Sequence, residues 1–263
     1  MQILDRVLLK FGKIIFSLWS NLSNEENLRT LYIYMGTKLG FGLTLPCEVE
    51  VRMIINKISK NALPYPSIVF DVGANIGEYT TAILHNVDGA QIYSFEPNPN
   101  TYISLKNLLG NHPAVRLFEF GLSSQNFIGQ MSEFVANDPS SSIVDQRSST
   151  SVPAEFRNIK DVIVELSISR VDFLKIDAEG MDYEILLSAK SLIPTVRIIQ
   201  FEISPKSITR CSFRMFFELL YETHELYIFT EKGLKPIREY RFSDETYMGS
   251  NYVAILKDAT KVL

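Results

Sequence analysis

Short apolar runs alternate along this chain with stretches in which apolar residues return every three or four positions. Apolar runs without period read as strands buried on both faces, and the longer repeat reads as amphipathic helix. The runs are Ile68-Val69-Phe70, Ala90 to Phe95, Val115 to Phe120, Val171 to Ile176 and Val196 to Ile203. Helical stripes fall at Ile76, Thr80, Ile83 and Leu84, then at Tyr102, Leu105, Leu108 and Leu109, after Pro97-Asn98-Pro99-Asn100. Another lies at Met181, Ile185, Leu186, Ala189 and Leu192, stopped by Pro194, and an aromatic-rich one covers 212–221. Strands that alternate with helices predict an α/β fold with a doubly wound parallel sheet. Leu226 to Thr230, the turn Glu231-Lys232-Gly233, and Leu234 to Ile237 predict a hairpin, and Tyr252 to Leu256 a final strand.

One segment fits poorly. Val162, Val164, Leu166 and Ile168 alternate with Ile163, Glu165 and Ser167, which is strand-like. Only Ser169 and Arg170 then remain before the next strand, whereas a parallel crossover needs about a dozen residues. Residues 161–168 must pair antiparallel, lie elsewhere, or not be a strand.

Ahead of the first strand, Leu4, Leu8, Phe11, Ile15, Leu18 and Leu22 form a helical stripe, with Asp5, Arg6, Lys10 and Lys13 off it. Lys10 and Lys13 break any run long enough to span a bilayer or serve as a signal peptide. Two roles stay open for residues 3–22: packing on the main domain or a partner subunit, as in a homo-oligomer, or contact with a membrane surface. Ser23-Asn24-Glu25-Glu26 caps a second helix running through Leu28, Leu31, Tyr32 and Met35 to Gly36, and a third is expected over 48–59. This divides the chain into a helical extension, 1–45, and a main domain, 46–263.

At 263 residues and 46% hydrophobic content, the chain suffices for one substantial core. A formal charge of −4 gives no electrostatic reason to expect a nucleic-acid partner. Cys47 and Cys211 match no metal spacing and are expected to stay reduced in a cytoplasmic protein. Residues 123–150 are polar and serine-rich around Ser140-Ser141-Ser142, which suits a surface connection or a substrate lid.

The candidate chemistry begins where the first strand ends. Asp71-Val72-Gly73-Ala74-Asn75-Ile76-Gly77 delivers an acid onto a glycine turn and a helix start, as α/β nucleotide sites do. The dinucleotide fingerprint needs a third glycine that is absent, with Asn75 between Gly73 and Gly77. Glu96 ends the next strand about 25 residues after Asp71, where an acid accepts hydrogen bonds from ribose hydroxyls. An acid facing a cation and another facing a ribose suit a nucleoside with a positively charged tail, such as S-adenosylmethionine.

With Phe95-Glu96-Pro97-Asn98-Pro99 and Phe173-Leu174-Lys175-Ile176-Asp177-Ala178-Glu179-Gly180 added, and Glu184 on the following helix, the chain resembles the FkbM family of methyltransferases over roughly 64–256. The resemblance implies a class I methyltransferase fold, a Rossmann-like, mostly parallel sheet whose last strand is antiparallel. It also implies O-methylation, with S-adenosyl-L-methionine as donor, of a hydroxyl on a sugar, glycolipid or similar polyhydroxylated acceptor. Related sequences place a short helix between the strand at Val162–Leu166 and the Lys175 strand; here it is expected to be missing. That gap keeps open a non-catalytic scaffold or cofactor-binding protein as the alternative.

Within this reading Gly73, Asn75 and Gly77 shape the turn under the methionine portion, Asp71 meets its ammonium directly or through water, and Glu96 holds the ribose. Lys175, Asp177 and Glu179 occupy alternate positions at a strand's C-terminal end, so all three are expected on one side. Asp177 or Glu179 is then the general base, with Lys175 tuning it or orienting the acceptor. Glu202 is read as a buried carboxylate or a substrate contact. No third ligand stands beside the paired acids, so no metal is expected. His85, His112 and His224 are read as surface histidines or spare bases.

Overall fold

The computed structural model describes residues 13, 17, 25–60, 64–132, 151–204, 210–245 and 248–257. The apolar stripe within 3–22 and Ser140 to Ser142 lie outside the described residues. Two helices precede the sheet, α1 (Glu25–Leu39) and α2 (Cys47–Lys60). The strands are β1 (Ile68–Val72), β2 (Gln91–Phe95), β3 (Val115–Phe118), β4 (Gly121–Ser123), β5 (Phe127–Ser132), β6 (Ser151–Asn158), β7 (Phe173–Ile176), β8 (Ile198–Ile203), β9 (His224–Thr230), β10 (Gly233–Ile237) and β11 (Ser250–Leu256). Between them stand α3 (Glu78–Asn86), α4 (Pro99–Leu109), α5 (Ile159–Glu165), α6 (Asp182–Ser188) and α7 (Phe213–Leu220).

The main sheet has eight strands in the order β10-β9-β11-β8-β7-β1-β2-β3. β3, β2, β1, β7 and β8 are parallel, and β11, last in the chain, runs antiparallel to both β8 and β9. This is the class I methyltransferase arrangement, with β10 as an added edge strand of the expected hairpin. Parallel strands need cover on both faces. Val69, Phe173, Ile198 and Val253 face α2, α3 and α4, while Phe70, Leu174, Ile199 and Ala254 face α5, α6 and α7. On the second face Phe216 stacks on Phe201 at 4.3 Å and Phe213 on Tyr252 at 4.7 Å.

Residues 159–165 correct the strand expected over 161–168. They form α5, capped by Asn158, whose side chain accepts from Lys160 N at 2.9 Å. Ile159, Val162, Ile163 and Leu166 also fit a three-to-four repeat, and in the structure the first three are buried while Val164 is 76% exposed. An alternating run rich in β-branched residues satisfies both periods, and here the cap and the burial pattern decide for helix. The strand of this region is β6, which pairs with β4 and β5 in a separate three-stranded sheet. The short helix before β7 is therefore present, and it packs on the second face of the main sheet. The gap that kept the scaffold alternative open closes with it.

Candidate functional site

From β1 the chain first builds outward to β2 and β3, then returns to β7 on the other side of β1. Such a reversal leaves a crevice at the C-terminal strand ends, where open α/β sheets bind ligands. A cavity of about 540 Å³ occupies it, the size of a site for a nucleoside-bearing ligand. Its walls include Gly73, Asn75, Glu96, Lys175, Asp177, Glu179, Gln200 and Glu202 from the sheet, and Cys47 and Glu50 from α2.

The turn after β1 is tied to β2 by Gly73 N and Ala74 N, both donating to Phe95 O at 3.0 Å. Gly73 has φ +76, and a Cβ there would stand 1.9 Å from Asp177 O, so backbone meets backbone with no side chain between. Asn75 adopts φ 49, and Gly77, at φ 96, caps α3 against Leu105 and Leu109.

Glu96 is 5% exposed. Its two oxygens accept from Asn75 N at 2.9 Å and Asn98 N at 2.8 Å, and burial raises its pKa to about 7. A carboxylate has about four lone-pair sites, so two remain for a ligand's hydroxyls.

One rung of the sheet is polar throughout. Ser94, Asp71, Lys175 and Gln200 are cross-strand neighbours on β2, β1, β7 and β8, all on the α3 side. Asp71 is wholly buried, accepts from Thr80 Oγ1 at 2.7 Å, and lies 3.3 Å from Lys175 Nζ. Its carboxylate sits beneath the cavity lining, turned to Lys175 and Thr80, because the middle of β1 directs it under α3. Asp71 does not itself line the cavity, so the ammonium contact expected of it would run through water.

Lys175 Nζ also lies 3.4 Å from Asp177 Oδ2, donates to Gly73 O at 3.3 Å and stands 5.1 Å above the Tyr79 ring. Burial alone would discharge the lysine, but Asp177 and Asp71 outweigh it and raise its pKa. Asp177 and Lys175 share a side as alternation requires; Glu179 does not follow, since β7 ends at Ile176 and Glu179 turns with φ 49. It reaches the cavity from that turn.

Beside Asp177 stand two acids. Asp182, 2% exposed, accepts from Ala178 N and Glu202 N at 3.2 Å each, and burial raises its pKa to about 7. Glu202 is raised well above the carboxylate range by burial and by Asp177, Asp182 and Glu179 around it. Glu202 is therefore held protonated beside Asp177.

Tyr79, Gln200, Glu50, Asp182 and Asn251 escaped sequence reasoning. Tyr79 OH donates to Gln200 Oε1, Gln200 Nε2 donates to Glu50 Oε2 at 2.7 Å, and Asn251 Nδ2 donates to Glu50 Oε1 at 2.8 Å. Glu50 and Gln200 did carry a signal, each a polar residue on a stripe otherwise apolar: Glu50 lines up with Ile54 and Ile58 on α2. The histidines stand elsewhere. His224 is buried against Val196 O and its pKa is lowered to about 4 by that burial, while His85 lies 3.6 Å from Glu48. None of the three lines the cavity. Glu184 sits on α6 and does not line it either. Among the described residues no group of three His, Cys, Asp or Glu is placed to hold a metal ion, and no helix is long and apolar enough to cross a membrane.

A mostly parallel sheet in this strand order, with a glycine turn on β1 and an acid ending β2, defines a class I S-adenosylmethionine-dependent methyltransferase. The model of the methyltransferase FkbM domain matches residues 71–232, and the chain belongs to that family. Its methyl donor is S-adenosyl-L-methionine. The chain is 24% identical over 175 residues to the 2-O-methyltransferase NoeI of Sinorhizobium fredii, covering 60% of this chain and 70% of NoeI. It is 28% identical over 167 residues to the hexuronic acid methyltransferase AglP of Haloferax volcanii, covering 61% and 65%. Methyltransferase 1 of Beauveria bassiana is 28% identical over 167 residues, covering 53% and 67%. The residues present fit the donor: a backbone cradle at Gly73 and a buried carboxylate with free lone pairs at Glu96.

Proposed function

We propose that this enzyme methylates a hydroxyl oxygen of a sugar or similarly polyhydroxylated acceptor. The observation that carries the reading is the group Lys175–Asp177–Glu202 on the cavity wall at the ends of β7 and β8. The names of NoeI and AglP, an O-methyltransferase and a methyltransferase of a sugar acid, support it.

When bound, S-adenosyl-L-methionine supplies an electrophilic methyl on a sulfonium. Everything else falls to the protein. Glu96 takes the ribose hydroxyls, and Gly73, Asn75 and Gly77 let the backbone approach the donor. An acceptor hydroxyl is a poor nucleophile until its proton is taken, so a base within hydrogen-bond reach is needed. Asp177 is that base, with Glu179 the second candidate from the adjoining turn. Lys175 pairs with Asp177 and holds it in place, and protonated Glu202 orients its carboxyl. Pro97, Leu122, Met131 and Phe156 form an apolar wall that excludes water from the donor.

The test is transfer of labelled methyl from S-adenosyl-L-methionine to a panel of neutral, amino and uronic glycosides. Label in an alkali-stable ether product supports the proposal. Label appearing only in esters or amines, across a panel that offers both, would overturn it.

A further inference from the structure

The carboxyls at and beside the cavity are matched by their surroundings in different ways. Asp177 has Lys175, Glu96 and Asp182 have backbone N–H groups, and Glu202 has Asp177. Glu50 is 3% exposed and is held by two neutral carboxamides, those of Gln200 and Asn251. Lys175, the cation nearest to it in effect, is already committed to Asp71 and Asp177. A buried carboxyl in a ligand cavity, aimed by two donors and lacking a cation, is set to receive one.

We propose that Glu50 binds the α-ammonium group of the donor's methionine tail. This rests on the donor reading above. Asp71, the acid whose position before Gly73 suited that ammonium, lies under the lining and is spent on Lys175 and Thr80. Glu50 stands at the surface of the same cavity, on a helix that precedes the family-matched residues 71–232. Each of its oxygens accepts one carboxamide N–H, so each keeps a lone pair for an ammonium donor.

The groups around it fix the direction of proton flow. Lys175 on β7 and Asp177 just after it face Glu50, Cys47 lies one turn earlier on α2, and Tyr79 reaches it through Gln200. Burial lifts the Glu50 pKa to about 7, so near that pH the free protein holds it partly protonated. An arriving ammonium favours the ionised form. The carboxyl proton leaves to solvent, and no bond to the ligand is made or broken.

The test is calorimetric titration with two ligands, S-adenosylhomocysteine and 5′-methylthioadenosine. Both carry the adenosine and thioether that Glu96 and the turn would hold, and only the first carries the ammonium tail. Titrations at pH 7 in phosphate and in Tris give the protons released. Wild-type protein should release more on binding S-adenosylhomocysteine than on binding methylthioadenosine. Glu50→Gln should erase that difference and weaken S-adenosylhomocysteine by about tenfold, with methylthioadenosine within about twofold.

If Glu50 only clips α2 to β8 and β11, Glu50→Gln will change both affinities alike or lower only the unfolding midpoint. Either result overturns the proposal. Should Glu50→Gln fail to fold by circular dichroism, Gln200→Ala removes one of the two aiming donors. It must still cost S-adenosylhomocysteine more than methylthioadenosine. Wild-type protein that binds neither ligand would overturn the donor site and this assignment together; binding of both with no dependence on Glu50 overturns this assignment alone.

Discussion

Asp71 and Lys175 stand opposite each other on neighbouring strands, and their charges meet 3.3 Å apart with the carboxylate wholly buried. The pair is the hinge between donor turn and acceptor wall, since Lys175 reaches on to Asp177 and to Gly73 O. Removing one partner of a buried pair strands the other charge, which costs about 3–5 kcal/mol. Lys175→Met should lower stability by that order in urea unfolding. The double variant Asp71→Asn, Lys175→Met should recover most of it, because no charge is then left unpaired at Asp71.

Gly73→Ala forces a Cβ into the Asp177 carbonyl and asks alanine to hold φ +76. Neither atom is the end of a flexible side chain. The turn must shift, with strain of about 1–3 kcal/mol. Calorimetry should show S-adenosylhomocysteine affinity falling by at least about tenfold, while circular dichroism stays that of the wild type.

Glu50, Glu96 and Asp182 each have a pKa raised to about 7 by burial. In the folded state each keeps a proton that the unfolded chain has already released above its ordinary carboxylate range. The folded form thus binds more protons over that interval, and the contribution of these groups to stability falls as pH rises toward 7, then levels. Urea midpoints between pH 5 and 8 should show this decline, and Asp182→Asn should make it shallower. A slope unchanged in that variant would count against a protonated Asp182.

Asp177→Asn keeps the shape of the proposed base and removes its basicity. Methyl transfer should fall by about 10²–10⁴-fold with S-adenosylhomocysteine affinity little changed. Glu179→Gln should cost far less. The reverse order would move the base to the turn after β7.

Val162 is 1% exposed and Val164 76%, two residues apart. A strand would put both on one face, and a helix puts them on different ones. Val162→Lys should destabilise the protein by more than about 3 kcal/mol, and Val164→Lys by less than about 0.5 kcal/mol. Equal costs in thermal unfolding would restore the strand reading.

The fold and the donor end of the cavity were legible because both rest on local pattern. Asp71 to Gly77 and Glu96 are strand ends and turns, and their spacing alone places them at the C-terminal ends of β1 and β2. The 159–165 helix was misread because Val162, Val164 and Leu166 obey the strand period, while the deciding facts were the Asn158 cap and the pairing of β6 in a second sheet. The burial of Asp71 was hidden for a similar reason. Sequence places an acid at a strand end, but only cross-strand registry shows that Lys175 claims it. Glu50 and Asn251 meet across 201 positions of chain, a contact that no local pattern encodes.

The small sheet has a practical consequence for engineering. Ser132 and Ser151 are paired neighbours at the last rung of β5 and β6. Met131 and Phe156 on those strands border the cavity. Donor turn and proposed base stand on the large sheet, while Met131 and Phe156 of the small one close the side of the cavity, so substitutions at those two positions reshape the cavity without touching the Lys175–Asp177 pair.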